Sequence, residues 1–189
     1  MAINKNTKLK IRVASGSMKG RVLECPPGEI RPMTSMCKQA LFNILYGRKE
    51  MEMLDLFSGS ASIAIEGYSR GMVAKADIIE GDFGKKGILQ ANLDKFGLNE
   101  CFNLIISDAF NYIKRSTKQY DFIMADPPFK MSNKEEIVSL IDKKNILKDD
   151  GIIVIHATSK DEIAAEIGSL HLIDRRNYGI NSLLFFTKK

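Results

Sequence analysis

The sequence predicts an α/β fold: a mostly parallel sheet with flanking helices and an antiparallel last strand. Three observations carry this. From residue 53 onward, apolar runs of strand length alternate with stretches of helical periodicity, the signature of a parallel sheet covered by its crossover helices. Four of those runs end in, or are followed by, a small or acidic residue: Gly59, Glu80, Asp108 and Asp126. The last two runs have no helix between them, so they form a hairpin whose second strand enters the sheet antiparallel. At 189 residues and 44% apolar content, the chain is long enough for one domain with a full core.

Residues 1–10 read as a flexible basic lead. Ile11–Ala14 and Arg21–Glu24, joined by Ser-Gly-Ser-Met-Lys-Gly, have the alternating apolar positions of a β-hairpin. Cys25-Pro26-Pro27-Gly28-Glu29 breaks it, and Pro32 favours an extended path over Ile30–Thr34. From Ser35, the residues Met36, Ala40, Leu41, Ile44 and Leu45 mark an amphipathic helix ending near Gly47. Strands are predicted at Met53–Phe57, Ala76–Glu80, Phe102–Ser107, Asp121–Ala125 and Ile152–His156. Helices are predicted at Ser62–Arg70, Phe83–Phe96, Ala109–Arg115 and Asn133–Lys144. A further helix is expected over Lys160–Ile167, before the hairpin strands Leu170–Tyr178 and Ser182–Thr187. The chain thus divides into a basic hairpin-and-helix extension, residues 1–50, and an α/β domain, residues 51–189.

Charge follows the same division. Residues 1–50 carry ten Lys and Arg against three Glu, a net +7, which leaves −2 for residues 51–189. A basic segment on a near-neutral domain is the footprint of phosphate-backbone binding, with Arg12, Lys19, Arg21, Arg31 and Lys38 as candidate contacts. Charge excess alone also fits a solvated, solubilising face. No run of 18 apolar residues occurs and the Lys-rich start has no apolar leader, so neither a membrane span nor a signal peptide is expected. Cys25, Cys37 and Cys101 are odd in number, widely spaced and outside any CxxC, which fits reduced thiols in the cytoplasm. Only His156 and His171 are available as imidazoles, too few for a His-based metal site or triad, and no metal is expected.

Two motifs carry chemistry. Asp126-Pro127-Pro128-Phe129 closes the apolar run Phe122–Ala125. A carboxylate and the carbonyl of a proline, which lacks an N–H and has a fixed φ, can both accept hydrogen bonds from one amine, while the aromatic ring stacks on a base. The same residues also suit an ordinary strand-ending turn. Upstream, Met53–Ser62 reads as a buried strand followed by a small-residue turn into a helix, a place where backbone comes close to a ligand. It is not a dinucleotide fingerprint, because Ala61 and Ala64 stand where further glycines are required. Asp55 lies inside this apolar strand and needs a partner, either turn N–H groups or a ligand ammonium. Glu80 sits where a carboxylate can take both hydroxyls of a ribose, or is an exposed strand-end acid. Asp108, followed by Ala109 and Phe110, can accept from an adenine amine or cap the next helix. Asp82 reads as a helix cap, and Asn92 has no chemistry readable from spacing.

Together these pieces resemble the Rossmann-like class I S-adenosylmethionine-dependent methyltransferases, and more closely the RsmD-type family of bacterial 16S ribosomal RNA guanine-N2 methyltransferases. The resemblance runs from about Ile11 to Phe186. Its most specific parts are Gly16-Ser17-Met18-Lys19-Gly20-Arg21, Arg31-Pro32 with Ala40–Leu45, Leu54–Ser60, Ile65-Glu66 with Ser69-Arg70-Gly71, and Asp126–Phe129. It implies that Asp55, Phe57, Gly59 and Ser60 line the methionine part of S-adenosyl-L-methionine, that Glu80 holds its ribose, and that Asp108 and Ala109 face its adenine. It also implies that Asp126, Pro127, Pro128 and Phe129 hold the target guanine amine in ribosomal RNA; the basic N-terminal segment fits the surface of an assembled small subunit as partner, and a monomer is the default expectation. Ala61 stands where the family commonly has glycine, Met33 where it has threonine, and Ser35 where it has an acid. The last two fall in the RNA-facing segment and bear on substrate rather than cofactor. The rival readings are an N6-adenine or N4-cytosine methyltransferase, which would use the same Asp-Pro-Pro-aromatic device, and a non-catalytic nucleic-acid-binding module.

Overall fold

A computed structural model describes residues 9–26 and 33–189. The chain runs through β1 (Lys10–Arg12), β2 (Val22–Glu24), α1 (Ser35–Ile44), β3 (Met51–Leu56), α2 (Ser62–Ser69), β4 (Val73–Glu80), a 3-10 turn (Phe83–Lys85) and α3 (Lys86–Phe96). It continues through β5 (Phe102–Ile106), α4 (Ala109–Arg115), β6 (Tyr120–Ala125), α5 (Lys134–Lys143), β7 (Leu147–Thr158), β8 (Glu166–Ile167), β9 (Leu170–Tyr178) and β10 (Asn181–Lys188).

Strands β3 to β10 form one sheet in the order β5-β4-β3-β6-β7-β10-β9-β8. The five strands β5, β4, β3, β6 and β7 are parallel; β10 inserts antiparallel between β7 and β9. Strand order reverses at β3, which puts a crevice between the C-terminal ends of β3 and β6, the general ligand position in open α/β sheets.

Side chains alternate between the faces, and both faces are buried. Met53, Ile78, Phe122, Met124, Val154 and Phe185 enter one core with the hairpin, α1, α2 and α3. Leu54, Leu56, Ile79, Ile123, Ile155 and Phe186 enter the other with α4 and α5. Double-sided burial is why these strands read as continuous apolar runs.

The basic hairpin shares the first core through Ile11, Val13 and Leu23, and it is tied to α2 by hydrogen bonds. The buried Glu66 accepts from the Ala14 and Ser15 amides at 2.8 and 3.0 Å and from Arg70 Nε at 2.9 Å. Ser17 N donates to the Ser69 carbonyl at 2.7 Å, and Met18 N donates to Ser69 Oγ at 2.9 Å. Gly16 lies so close that a Cβ there would sit 1.8 Å from the Ser69 oxygen. The buried Asn92 clamps the other strand, accepting from Glu24 N at 2.9 Å and donating to Glu24 O at 2.8 Å.

Three expectations are corrected. Residues 160–167 form no helix. Asp161 instead accepts from Thr158 N at 2.6 Å and pairs with Lys134 at 2.9 Å, Ala164 N donates to Glu135 at 2.9 Å, and Glu166–Ile167 pairs with β9. These tertiary bonds override a local composition rich in helix formers. The expected helix Phe83–Phe96 begins as a 3-10 turn capped by Asp82, whose carboxylate accepts from Gly84 N at 2.9 Å. In α1 the buried face is Cys37, Lys38, Leu41, Phe42 and Leu45, while Met36 is exposed. Lys38 is therefore turned inward, spaced i+3, i+4 and i+7 from Leu41, Phe42 and Leu45. It is only 7% exposed, and burial pulls its pKa down against the pull of Glu66. It is not part of an exposed cationic face.

Candidate active site

β3 delivers Asp55 and then a tight turn. Phe57, Gly59 and Ala61 all adopt left-handed φ values, 61°, 60° and 61°. For the two that carry side chains this costs about 1–2 kcal/mol each, so surrounding bonds must hold the turn. Ser58 N donates to the Ile79 carbonyl at 3.0 Å and Ala61 N to the Ser58 carbonyl at 3.1 Å. Glu80, at the end of neighbouring β4, accepts from Gly59 N at 3.0 Å, Asp82 N at 2.9 Å and Lys85 Nζ at 3.1 Å. Its carboxylate thus lashes two strand ends together.

Asp55 is 2% exposed and accepts from Ser58 Oγ at 2.8 Å. Burial raises its pKa to about 7; the Ser58 bond lowers it and the charges of Asp126 and Glu80 raise it further. A buried carboxylate with one hydroxyl partner is a receptor for a cation.

β6 delivers the facing motif. Asp126 N donates to the Leu56 carbonyl at 3.2 Å, extending the β3–β6 pairing to the strand end. Beyond it, Met131 N takes the Pro128 carbonyl at 2.9 Å, while among the described residues none donates to the Pro127 carbonyl. Lys134, from the first turn of α5, is buried and donates to the carbonyls of Phe129 at 3.1 Å and Met131 at 2.7 Å while pairing with Asp161. That bracing fixes the Phe129 loop. Asp126 Oδ1 lies 2.7 Å from His156 Nδ1, and the Phe129 ring meets His156 edge-on at 5.2 Å.

Both motifs line one cavity of about 680 Å³, a volume suited to a small-molecule ligand. It brings together Asp55, Phe57, Gly59, Ser60 and Glu80 from one side with Asp126, Pro127, Pro128 and Phe129 from the other. Met33, read from the sequence as a departure in the RNA-facing segment, also lines this cavity, as do Lys85 and Lys130, which had no signal in the sequence. Asp108 and Ala109 are not among the lining residues. Asp108 caps α4, accepting from Asn111 N at 2.9 Å, and Ala109 is buried in the second core. Of the hairpin cations, Arg12 is exposed and donates to the Gly20 carbonyl at 2.6 Å, and Lys19 is exposed. Arg21 is exposed, lies 4.3 Å above the Phe96 ring and donates to the Lys95 carbonyl. Arg31 lies outside the described residues.

Residues 11–187 match the family model described as conserved hypothetical protein 95. The chain belongs to this family. Its relatives include "Putative rRNA methyltransferase YlbH" of Bacillus subtilis, 30% identical over 95% of this chain and 100% of that protein. Ribosomal RNA small subunit methyltransferase D of Buchnera aphidicola is 31% identical over 81% of this chain and 79% of that protein. Among solved structures, "Putative methyltransferase yhhF" of Escherichia coli superposes with a TM-score of 0.83 at 25% identity, covering 95% of this chain and 98% of that one. The motifs that carried the resemblance now have physical reasons in this chain: Gly16, Glu66 and Ser69 dock the hairpin, and the Asp55–Ser60 and Asp126–Phe129 segments line one cavity.

Proposed function

We propose that the protein transfers a methyl group from S-adenosylmethionine to the exocyclic N2 of a guanine in small-subunit ribosomal RNA. The observation that carries this is the shared cavity, with a cation-receiving carboxylate and a small-residue turn on one side and an amine-gripping motif on the other. The rRNA methyltransferase names of the relatives support the substrate class.

S-adenosylmethionine supplies, when bound, a methyl on a positively charged sulfur. Asp55 and the turn to Ser60 would hold its methionine part, with Asp55 taking the ammonium. Glu80 already accepts three hydrogen bonds, and an ionised carboxylate has about four acceptor sites, so it keeps one for a ribose hydroxyl. Asp108 has Oδ1 on its helix cap and would offer Oδ2 to an adenine amine.

The target amine is a weak nucleophile because its lone pair is delocalised into the ring. Asp126 Oδ2 and the Pro127 carbonyl would accept its two hydrogens and aim the lone pair across the cavity, while Phe129 stacks on the unstacked base. Rate acceleration is then mainly positional. When the methyl passes to N2, its bonding pair would stay on the cofactor sulfur, and Asp126 would take one N2 proton. That side chain is 27% exposed, so the proton can go on to solvent.

The exposed hairpin cations Arg12, Lys19 and Arg21, together with Arg31, would meet phosphates of ribosomal RNA, either naked or in the assembled small subunit. The test offers both, with adenine-rich RNA and DNA as controls, and reads N2-methylguanine by nucleoside mass spectrometry. Asp126→Ala should lose transfer by at least about 100-fold while binding S-adenosylmethionine normally by calorimetry. Normal methylation by this variant, or methyl recovered on adenine or cytosine, overturns the reading.

A further inference from the structure

His156 lies near the C-terminal end of the buried stretch of β7, the strand beside β6, and is 2% exposed. Both ring nitrogens are engaged: Nδ1 lies 2.7 Å from Asp126 Oδ1, and Nε2 lies 3.1 Å from Asn181 Oδ1. The Asn181 amide is oriented by its own Nδ2, which donates to the Tyr178 carbonyl at 3.3 Å. Its oxygen, an acceptor only, therefore faces Nε2, and that nitrogen must carry a hydrogen. An ionised Asp126 is also an acceptor only. Both contacts are satisfied together when the ring is doubly protonated.

The other charged group facing the ring is Lys134, from α5, which opposes a positive imidazole but is itself drawn to Asp161. The Phe129 ring lies edge-on against it at 73°. Burial also opposes the charge, yet the bonds to Asp126 and Asn181 outweigh both, and the His156 pKa is raised.

We propose that His156 is a positioning residue for methyl transfer: anchored by Asn181, it fixes the Asp126 carboxylate through Oδ1 and leaves Oδ2 to the substrate amine. The inference rests on the methyl-transfer reading above. No proton crosses His156 in the reaction, since Nε2 is already bound and the ring is closed off from solvent. Above its pKa the ring loses a proton and with it one of its two contacts, either the grip on Asp126 or the Asn181 anchor behind that grip, so kcat falls on the alkaline side.

The experiment compares His156→Phe, which keeps ring volume and loses both bonds, with His156→Asn, whose amide N–H replaces Nδ1 and does not titrate. Small-subunit methylation, S-adenosylmethionine calorimetry and melting curves are measured across pH. His156→Phe should lower kcat about 10- to 100-fold, the scale of a misplaced reacting group, with cofactor affinity within about twofold of wild type. His156→Asn should restore most of the rate and lack the wild-type alkaline limb. Nitrogen-15 spectra, simple in a chain with two histidines, should show both His156 nitrogens protonated at neutral pH.

A neutral ring in those spectra overturns the proposal. So does a fully active His156→Phe, or an alkaline limb that survives in His156→Asn. Wild-type protein inactive on every RNA would instead sink the methyl-transfer reading underneath.

Discussion

Replacing Asp55 by Asn should make the ligand-free protein more stable and the enzyme worse. Asp55 has a pKa of about 7 in the fold against 3.8 in the unfolded chain. The folded state binds the proton more tightly, so the stability this group gives is full below pH 3.8 and is lost as pH rises through about 7. Three pH units at about 1.4 kcal/mol each mean that ionised Asp55 costs the fold about 4 kcal/mol at pH 8. At pH 5, where it is still protonated in the fold, the cost is below half of that. Asn does not titrate and can keep accepting from Ser58. The variant should therefore gain about 3 kcal/mol at pH 8, roughly 6–12 °C in melting temperature for a chain of this size, and much less at pH 5. The cation receptor is lost with the charge, so S-adenosylmethionine should bind about 10- to 150-fold more weakly, the worth of one charge-assisted hydrogen bond. Calorimetric melts of the apo protein at both pH values, with cofactor titrations beside them, decide the matter. A variant that melts at or below wild type at pH 8, or gains equally at both pH values, refutes a buried carboxylate held at raised pKa.

Gly16→Ala places a methyl against the Ser69 carbonyl at a φ of +85°, and should cost about 2–3 kcal/mol in urea denaturation while weakening RNA binding more than cofactor binding. Lys134→Met strips two loop carbonyls and Asp161 of their partner; a loss of about 2–3 kcal/mol and about tenfold in kcat is expected, and kcat unchanged would mean that the Phe129 loop holds itself. Ala61→Gly relieves a left-handed alanine, worth about 1 kcal/mol, but removes a fully buried methyl worth about 0.8 kcal/mol, so the denaturation midpoint should hardly move. That near balance explains how this chain tolerates alanine in so tight a turn.

The parallel strands were legible because both faces of the sheet are buried, which writes them as apolar runs; β6 was expected over Asp121–Ala125 and occupies Tyr120–Ala125. The two site motifs were legible because they sit at strand ends, where small and acidic residues contrast with those runs. Residues 160–167 misled because Lys, Glu and Ala favour helix locally, while Asp161 pairs with Lys134 and Ala164 N with Glu135, both distant in sequence. Lys38 and Lys134 are long cations turned inward, and an assumption of exposed charge hides them. For Lys38 the i+3, i+4, i+7 spacing was there to be read. His156 escaped because its meaning depends on strand order: only with β7 beside β6, Ala125 opposite Ile155, does residue 156 come next to residue 126.

The insertion of β10 between β7 and β9 has a consequence for biosynthesis. The residues that line the cofactor crevice all precede residue 131, yet until residues 181–188 are in place, β7 and β9 each present an unpaired flank ready to pair with a neighbouring chain. β10 closes the gap and brings Asn181 to His156. A premature stop anywhere before that segment should therefore yield an adhesive product bound for chaperones and proteases rather than a smaller working enzyme.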